Sequence, residues 1–251
     1  MIQAKYLKFA GGFWEVNMAK KLSKNESLNL KNEMLAKFDD YLTGLIEGEQ
    51  KAKAEKISYW VLDWIKYLER EENFSPNKML KYKRGSIVKV HLGFNVGSEE
   101  GGLHYAIVID ANNDLKNPVF TVIPLTSVKP HTDIEKLGKN QLFIGGEIYE
   151  KLTKKLTKLL EKLSSVQLPE ATEAELGEFQ EELAYAKRVK AEIDRMKTGS
   201  IALIGQVTTI SKLRIFDPRN KFGVLKGIRV SDDILDKIDE HLQKNFFKKT
   251  K

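Results

Sequence analysis

The hydrophobic period of this chain changes twice beyond residue 80, and that pattern limits the folds open to it. From residue 86 onward the apolar residues fall in short β-rich runs, at 86–92, 105–110, 119–124, 141–144, 200–207 and 223–230, separated by Gly, Asn, Pro and Asp. Between the fourth and fifth runs, residues 147–197 switch to helical spacing. Leu152, Leu156, Leu159 and Leu163 recur at steps of three and four, and Leu176, Phe179, Leu183, Ala186, Val189, Ile193 and Met196 continue beyond a Pro169 turn. The strands do not alternate with helices, so a doubly wound parallel sheet is excluded. What remains is an α+β fold: a small, strongly bent antiparallel sheet or barrel with an antiparallel helical hairpin inserted between two strands. The leucine seam is expected to be buried inside that hairpin. Lys151, Lys154, Lys155, Lys158 and Lys162 on its first arm are expected to face, in part, the Glu-rich start of the second (Glu173, Glu175, Glu178, Glu181, Glu182).

Helical period also rules the N-terminal region. Residues 25–46 predict an amphipathic helix with Met34, Leu35, Phe38, Tyr41, Leu42, Leu45 and Ile46 on one stripe. Residues 51–71 predict a second, whose stripe carries Trp60 and Trp64 and so needs a cover. Phe74-Ser75-Pro76-Asn77 breaks that helix and separates an N-terminal helical region, 1–79, from a domain formed by 80–251 and interrupted by the hairpin at 147–197. A last helix over 231–247 opens with the cap signal Ser231-Asp232-Asp233 and buries Ile234, Leu235, Ile238 and Leu242.

Composition narrows the chemistry. The 251 residues contain no cysteine, which removes disulfides, thiol nucleophiles and cysteine zinc sites. The four histidines (His91, His104, His131, His241) do not stand at metal-ligand spacing, so no metal and no cofactor is expected. No stretch approaches the roughly 20 apolar residues of a membrane span, and the opening MIQAKYLKFAGG has no long apolar core of a secretory signal, so a cytoplasmic protein is expected. The net charge of +7 is concentrated: residues 80–145 carry 8 basic and 6 acidic residues and 199–231 carry 6 and 1, while the other segments balance. A positive field confined to one module points to a polyanionic partner such as nucleic acid.

The run KRGSIVKVHLGFNVGSEEGGLHYAIVID from Lys83, followed by TVIPLTS, IALIGQVTTISKLRI and VSDDILDKIDEHL, resembles the PemK/MazF family of type II toxins. The matching blocks are 82–145 and 199–246. The resemblance implies an SH3-like barrel, a metal-independent endoribonuclease acting on single-stranded RNA, a homodimer, and an antitoxin as possible partner. The N-terminal region and the hairpin have no counterpart in the compact members, and are expected to be a dimerisation arm or a built-in restraint over the groove. The implied catalytic residues are His104, Thr126 and Ser127. Typical members carry a catalytic Arg followed by Pro where this chain has His104 and Tyr105. The same barrel also occurs in toxins that bind gyrase without cutting RNA, so the alternative function is a non-catalytic module binding RNA, DNA or a gyrase-type protein.

Metal-free RNA cleavage needs a base for the 2′-hydroxyl, an acid for the departing 5′-oxygen and donors for the phosphoryl oxygens. Imidazole can do proton work that guanidinium cannot, so the exchange at His104 shifts that duty onto the histidine and leaves a cation to be supplied from elsewhere. Thr126 and Ser127 offer hydroxyl donors. Gly97, Gly101 and Gly102 permit close backbone approach, with Ser98 and Glu99 at the loop tip, where Glu99 or Glu100 is a further candidate base. Gln206, Thr208, Thr209, Lys212 and Arg214 align with a family stretch near the substrate groove, Lys212 and Arg214 being the expected phosphate contacts. Tyr105 and Phe94 are candidates for base stacking. His91 and His131 receive no role, and Lys81, Lys83 and Arg84 read as a solvated strand start that adds to the local field.

Overall fold

The computed structural model describes residues 6–8, 14–16, 21–166, 172–196 and 199–247; the Pro169 turn lies outside the described residues. The chain forms two compact units, Met1–Tyr59 and Trp60–Lys251. In the first, β1 (Tyr6–Lys8) and β2 (Trp14–Val16) pair antiparallel with Leu7 opposite Glu15. The expectation of helices alone over 1–79 misses this ribbon, because three-residue strands are too short to print an alternating pattern. α1 (Lys24–Glu47) opens on a capping box, in which Ser23 Oγ accepts from the Glu26 N–H at 3.2 Å and the Ser23 N–H donates to Glu26 Oε2 at 2.8 Å. α2 (Lys51–Glu71) follows and runs across the boundary between the units.

Among the described residues of the second unit, seven strands make one antiparallel sheet: β3 (Ile87–His91), β4 (Leu103–Val108), β5 (Val119–Ser127), β6 (Leu142–Phe143), β7 (Ser200–Ala202), β8 (Thr208–Ser211) and β9 (Ile215–Asp217). The order is β6-β7-β5-β4-β3-β9, with β8 also on β5. β5 holds β8 along Val119–Val122 and β7 along Leu125–Ser127, while β4 pairs its other edge at Val122–Pro124.

Strand alternation sorts the core. Ile87, Ile107, Ile123 and Leu125 point to one side of the sheet; Val88, Val90, Ala106, Val108, Phe120 and Val122 point to the other. The second set meets both Ile210 of β8 and Ile215 of β9, strands from opposite flanks, so the sheet is curled around it as a barrel. The first set is covered by helices: Ile148 and Leu152 of α3 (Glu147–Ser164), Val189 and Ile193 of α4 (Glu173–Arg195), and Leu235 and Ile238 of α5 (Asp232–Phe246). Each such side chain contributes about 1.5–3 kcal/mol on burial, which is what holds the three helices to the barrel.

Three expectations are corrected here. The hairpin does not bury its seam only within itself, since its base joins the barrel core through Leu152, Val189 and Ile193. Of the charges expected to face one another, Lys162 and Glu182 do link the arms, whereas Lys151 and Lys155 pair with none of those glutamates: they donate to the carbonyls of Arg229 (2.5 Å) and Val224 (2.8 Å), and Lys155 also lies over the Tyr185 ring of the second arm. Residues 223–230 form turns with a single bridge, Ser86 to Arg229, although Leu225, Ile228 and Val230 are buried as strand residues would be. The extra strands β8 and β9 lie in and just after the TTISKLR stretch, whose polar residues conceal the alternation.

Candidate functional site

The loop joining β3 to β4 is closed by the Leu92 N–H on the Gly102 carbonyl (2.7 Å) and the Gly102 N–H on the Gly93 carbonyl (2.6 Å). Glycine is required at its end for local reasons: Gly102 has φ of +80°, and a Cβ on Gly101 would sit 2.8 Å from the Gly93 oxygen. Asn95 Nδ2 donates to the Glu100 carbonyl at 2.7 Å. Gln206, from the turn after β7, clasps the loop from outside, accepting from the Glu100 N–H at 2.5 Å and donating to the Ser98 carbonyl at 3.2 Å.

This fixed loop delivers Glu100 to His104. Glu100 Oε1 lies 3.0 Å from His104 Nε2, and the other ring nitrogen, Nδ1, lies 3.2 Å from the Leu125 carbonyl. The Leu125 contact is a hydrogen bond with Nδ1 donating, and the Glu100 contact is an ion pair when the ring is charged. The β4–β5 ladder ends at Ala106–Pro124, and strand alternation puts His104, two residues from Ala106, and Thr126, two residues from Pro124, on the same face of the sheet. Side-chain exposure of 29% for His104 and 23% for Glu100 leaves the pair reachable from solvent.

Beside the pair lies a cleft of about 650 Å³, lined by Ser98, Glu99 and Glu100 of the loop, Pro124 of β5, and Gln206, Thr208 and Arg214. Arg214 supplies its cation. Its Nε donates to the His91 carbonyl at 2.8 Å and its guanidinium lies 5.4 Å from the Trp60 ring centre, and no ion pair engages it among the described residues. The Nη donors are left for the cleft. Burial pulls the Arg214 pKa below the ordinary guanidinium value, and Tyr67 opposes that shift. His91 completes the support: Trp60 meets it edge-on at 4.7 Å, and the Tyr67 hydroxyl lies 3.3 Å from its Nδ1. Burial lowers the His91 pKa while Asp63, 3.8 Å away, works to raise it.

The structure therefore gathers Ser98, Glu99, Gln206, Thr208 and Arg214 around one cleft, with Gly101 and Gly102 shaping its loop and His104 against its Glu100; Thr126 is not among the lining residues. Two expected contacts stand elsewhere. Lys212 is fully buried and donates from Nζ to the Asp114 carbonyl at 2.8 Å, so it cannot reach a phosphate; burial lowers its pKa. Tyr105 lies on the opposite face of β4 from His104, where its hydroxyl donates to Glu192 and Lys89 sits 5.1 Å from its ring centre. Burial pushes its phenol well above the ordinary range. Ser127 is exposed opposite Ser200 at the end of β5, Phe94 is 37% exposed on the loop, and Thr209 lies 3.4 Å from Thr121. The Trp60–Tyr67–His91 support for Arg214 carries no local sequence signal, because its members come from α2 and β3.

A curled antiparallel barrel with a loop-closed cleft at one end, extended by helices, is the class of domain these observations define. Residues 83–182 match the sequence model of the family described as PemK-like, MazF-like toxin of type II toxin-antitoxin system. The match begins just before β3 and runs through the cleft loop into α4. No curated protein matches the chain. Among the described residues, no helix is long and apolar enough to cross a membrane.

Proposed function

We propose that the protein is a metal-independent endoribonuclease of the toxin type, cleaving single-stranded RNA by attack of a 2′-hydroxyl on the adjacent phosphodiester. The observation that carries this is the contact of Glu100 with His104 at the end of a cleft holding an unpaired arginine. In the proposed reaction Glu100 takes the 2′-hydroxyl proton as the 2′-oxygen bonds to phosphorus. His104 gives its Nε2 proton to the 5′-oxygen as the P–O5′ bond breaks, leaving a 2′,3′-cyclic phosphate and a 5′-hydroxyl. Arg214 and Thr126 neutralise the phosphoryl oxygens, and this is how a chain with histidine at the family's arginine position recovers a cation. A protein antitoxin is the partner, in keeping with the family's type II systems, and a homodimer in the cytoplasm is the working assembly.

The test is incubation of the purified chain with single-stranded RNA in EDTA, beside His104→Ala and Glu100→Gln. Cleavage by the parent that both variants lose supports the reading; equal cleavage by all three, or none under any condition, rejects it. A non-catalytic binding module is the second reading. It is favoured by the occupation of both His104 nitrogens, and tight RNA binding without strand scission identifies it.

A further inference from the structure

We infer that a second cleft, at the opposite end of β3 from the Glu100–His104 pair, binds a phosphate-bearing ligand of nucleotide type through Lys81, Lys83, Arg84 and Arg229. Its volume is about 750 Å³, within the range of small-ligand sites, and its walls are residues 81–84, 111–115 and Arg229. Four cations line it against one carboxylate, Asp114.

The cations are arranged rather than scattered. Tyr82 is 2% exposed and its hydroxyl donates to the Pro218 carbonyl at 2.7 Å, which anchors the segment between the exposed Lys81 and Lys83. Neither lysine stands in an ion pair among the described residues. The two arginines are held in place: Arg84 donates to the Ile109 carbonyl and to Asp239, while Arg229 donates from Nε to the Arg84 carbonyl at 2.7 Å and from Nη2 to Asp232 at 2.8 Å. Each guanidinium keeps further N–H donors.

Asn113 adds an independent pointer. It lines the same cleft at 5% exposure, its Nδ2 donates to Asp110 Oδ2 at 3.3 Å, and its Oδ1 accepts nothing among the described residues. Oδ1 is itself buried without a partner among the described residues, so a modest rotation of Asn113 would turn this acceptor towards a donor in the cleft. A phosphate dianion offers none, whereas a ribose hydroxyl or a base amino group does, so cations beside this oxygen match a nucleotide better than a bare anion. The two clefts lie at opposite ends of the five-residue β3, which spans roughly 13 Å at about 3.3 Å per residue. The ligand is thus either a free nucleotide or a distant nucleotide of an RNA strand seated at the first cleft; only the second source rests on the nuclease reading.

The test titrates the full chain with ATP by calorimetry, and with a short and a long uncleavable 2′-O-methyl RNA by fluorescence anisotropy, for the parent and for Lys81→Glu/Lys83→Glu. The double variant is expected to weaken ATP or the long RNA at least about tenfold and, for RNA, to reduce the salt slope by about 1.4, from two lost phosphate contacts. Weaker ATP binding assigns a free nucleotide, and a loss confined to the long RNA assigns a distant part of the strand. Unchanged affinities, or no binding of either ligand by the parent, overturn the site. The same titrations on His104→Ala keep the lysine dependence even if the chain cuts no RNA, which separates failure of this site from failure of the nuclease reading.

Discussion

Gln206 and Glu100, 106 residues apart in the chain, are joined by a hydrogen bond of 2.5 Å from the Glu100 N–H to the Gln206 amide oxygen. Gln206, which lines the cleft as a residue expected near RNA, also acts as a clasp, since both ends of its amide hold the loop that presents Glu100. Gln206→Ala is expected to cost about 1 kcal/mol of stability and to lower the rate of RNA cleavage more than RNA affinity. Thermal melts and a kcat-against-KM comparison measure the two effects, and an unchanged kcat excludes the clasp role.

Arg214 is the cation of the cleft. Arg214→Ala is expected to reduce cleavage on the order of 10² to 10³-fold, the usual loss for one donor to a developing oxyanion. Lysine keeps the charge but cannot lie flat over Trp60 while bonding to the His91 carbonyl, so Arg214→Lys should recover only part of it. Full activity in Arg214→Lys would show that charge alone is required.

Lys212→Ala removes a buried side chain and strands the Asp114 carbonyl, and about 2–4 kcal/mol of destabilisation is expected. The slope of RNA affinity against salt should not change, as no phosphate contact is lost. A reduced slope in folded protein would return Lys212 to the binding surface.

Glu147 ties the start of α3 to the start of α5. Burial alone would raise its pKa, but hydrogen bonds from Lys151 and from the Ser231 N–H and hydroxyl outweigh it and hold the carboxyl below its usual value. A carboxyl with a lower pKa folded than unfolded stabilises above its unfolded pKa, and that gain is lost as pH falls through the folded one. The parent should therefore exceed Glu147→Gln by about 1–2 kcal/mol near neutrality, and denaturant midpoints should converge in acid. A gap that is constant with pH would exclude the ionised form as its source.

Much of the scaffold was legible in the sequence because it rests on periodicity. The leucine steps of α3 and the Ser231 cap mark helices at nearly the observed bounds, and the alternation of Ile87, Val88 and Val90 marks β3 and its two faces. The site was legible only where a loop could be read as a unit, from Ser98 to Gly102. The direction of a side chain is set by neighbours far along the chain, and single-residue chemistry does not report it. By residue type Lys212 reads as a phosphate ligand, but its Nζ is committed to the Asp114 carbonyl, and Tyr105 reads as a stacking platform, but its strand register turns it towards Glu192. Glu100 was readable as a possible base, but its contact with His104 depends on Gln206, contributed by the far side of the hairpin insertion.

The insertion itself leaves and rejoins the sheet at one place. β6 and β7 are direct neighbours, with Leu142 opposite Ala202 and Phe143 opposite Ile201, so α3 and α4 together replace what would otherwise be an ordinary reverse turn. An excursion anchored at adjacent points can lengthen, shorten or acquire new residues at its outer end without shifting any rung of the ladder. The distal hairpin is thus free to diversify independently of the barrel, a graft point at which a new specificity can be tried while the chemistry below is left undisturbed.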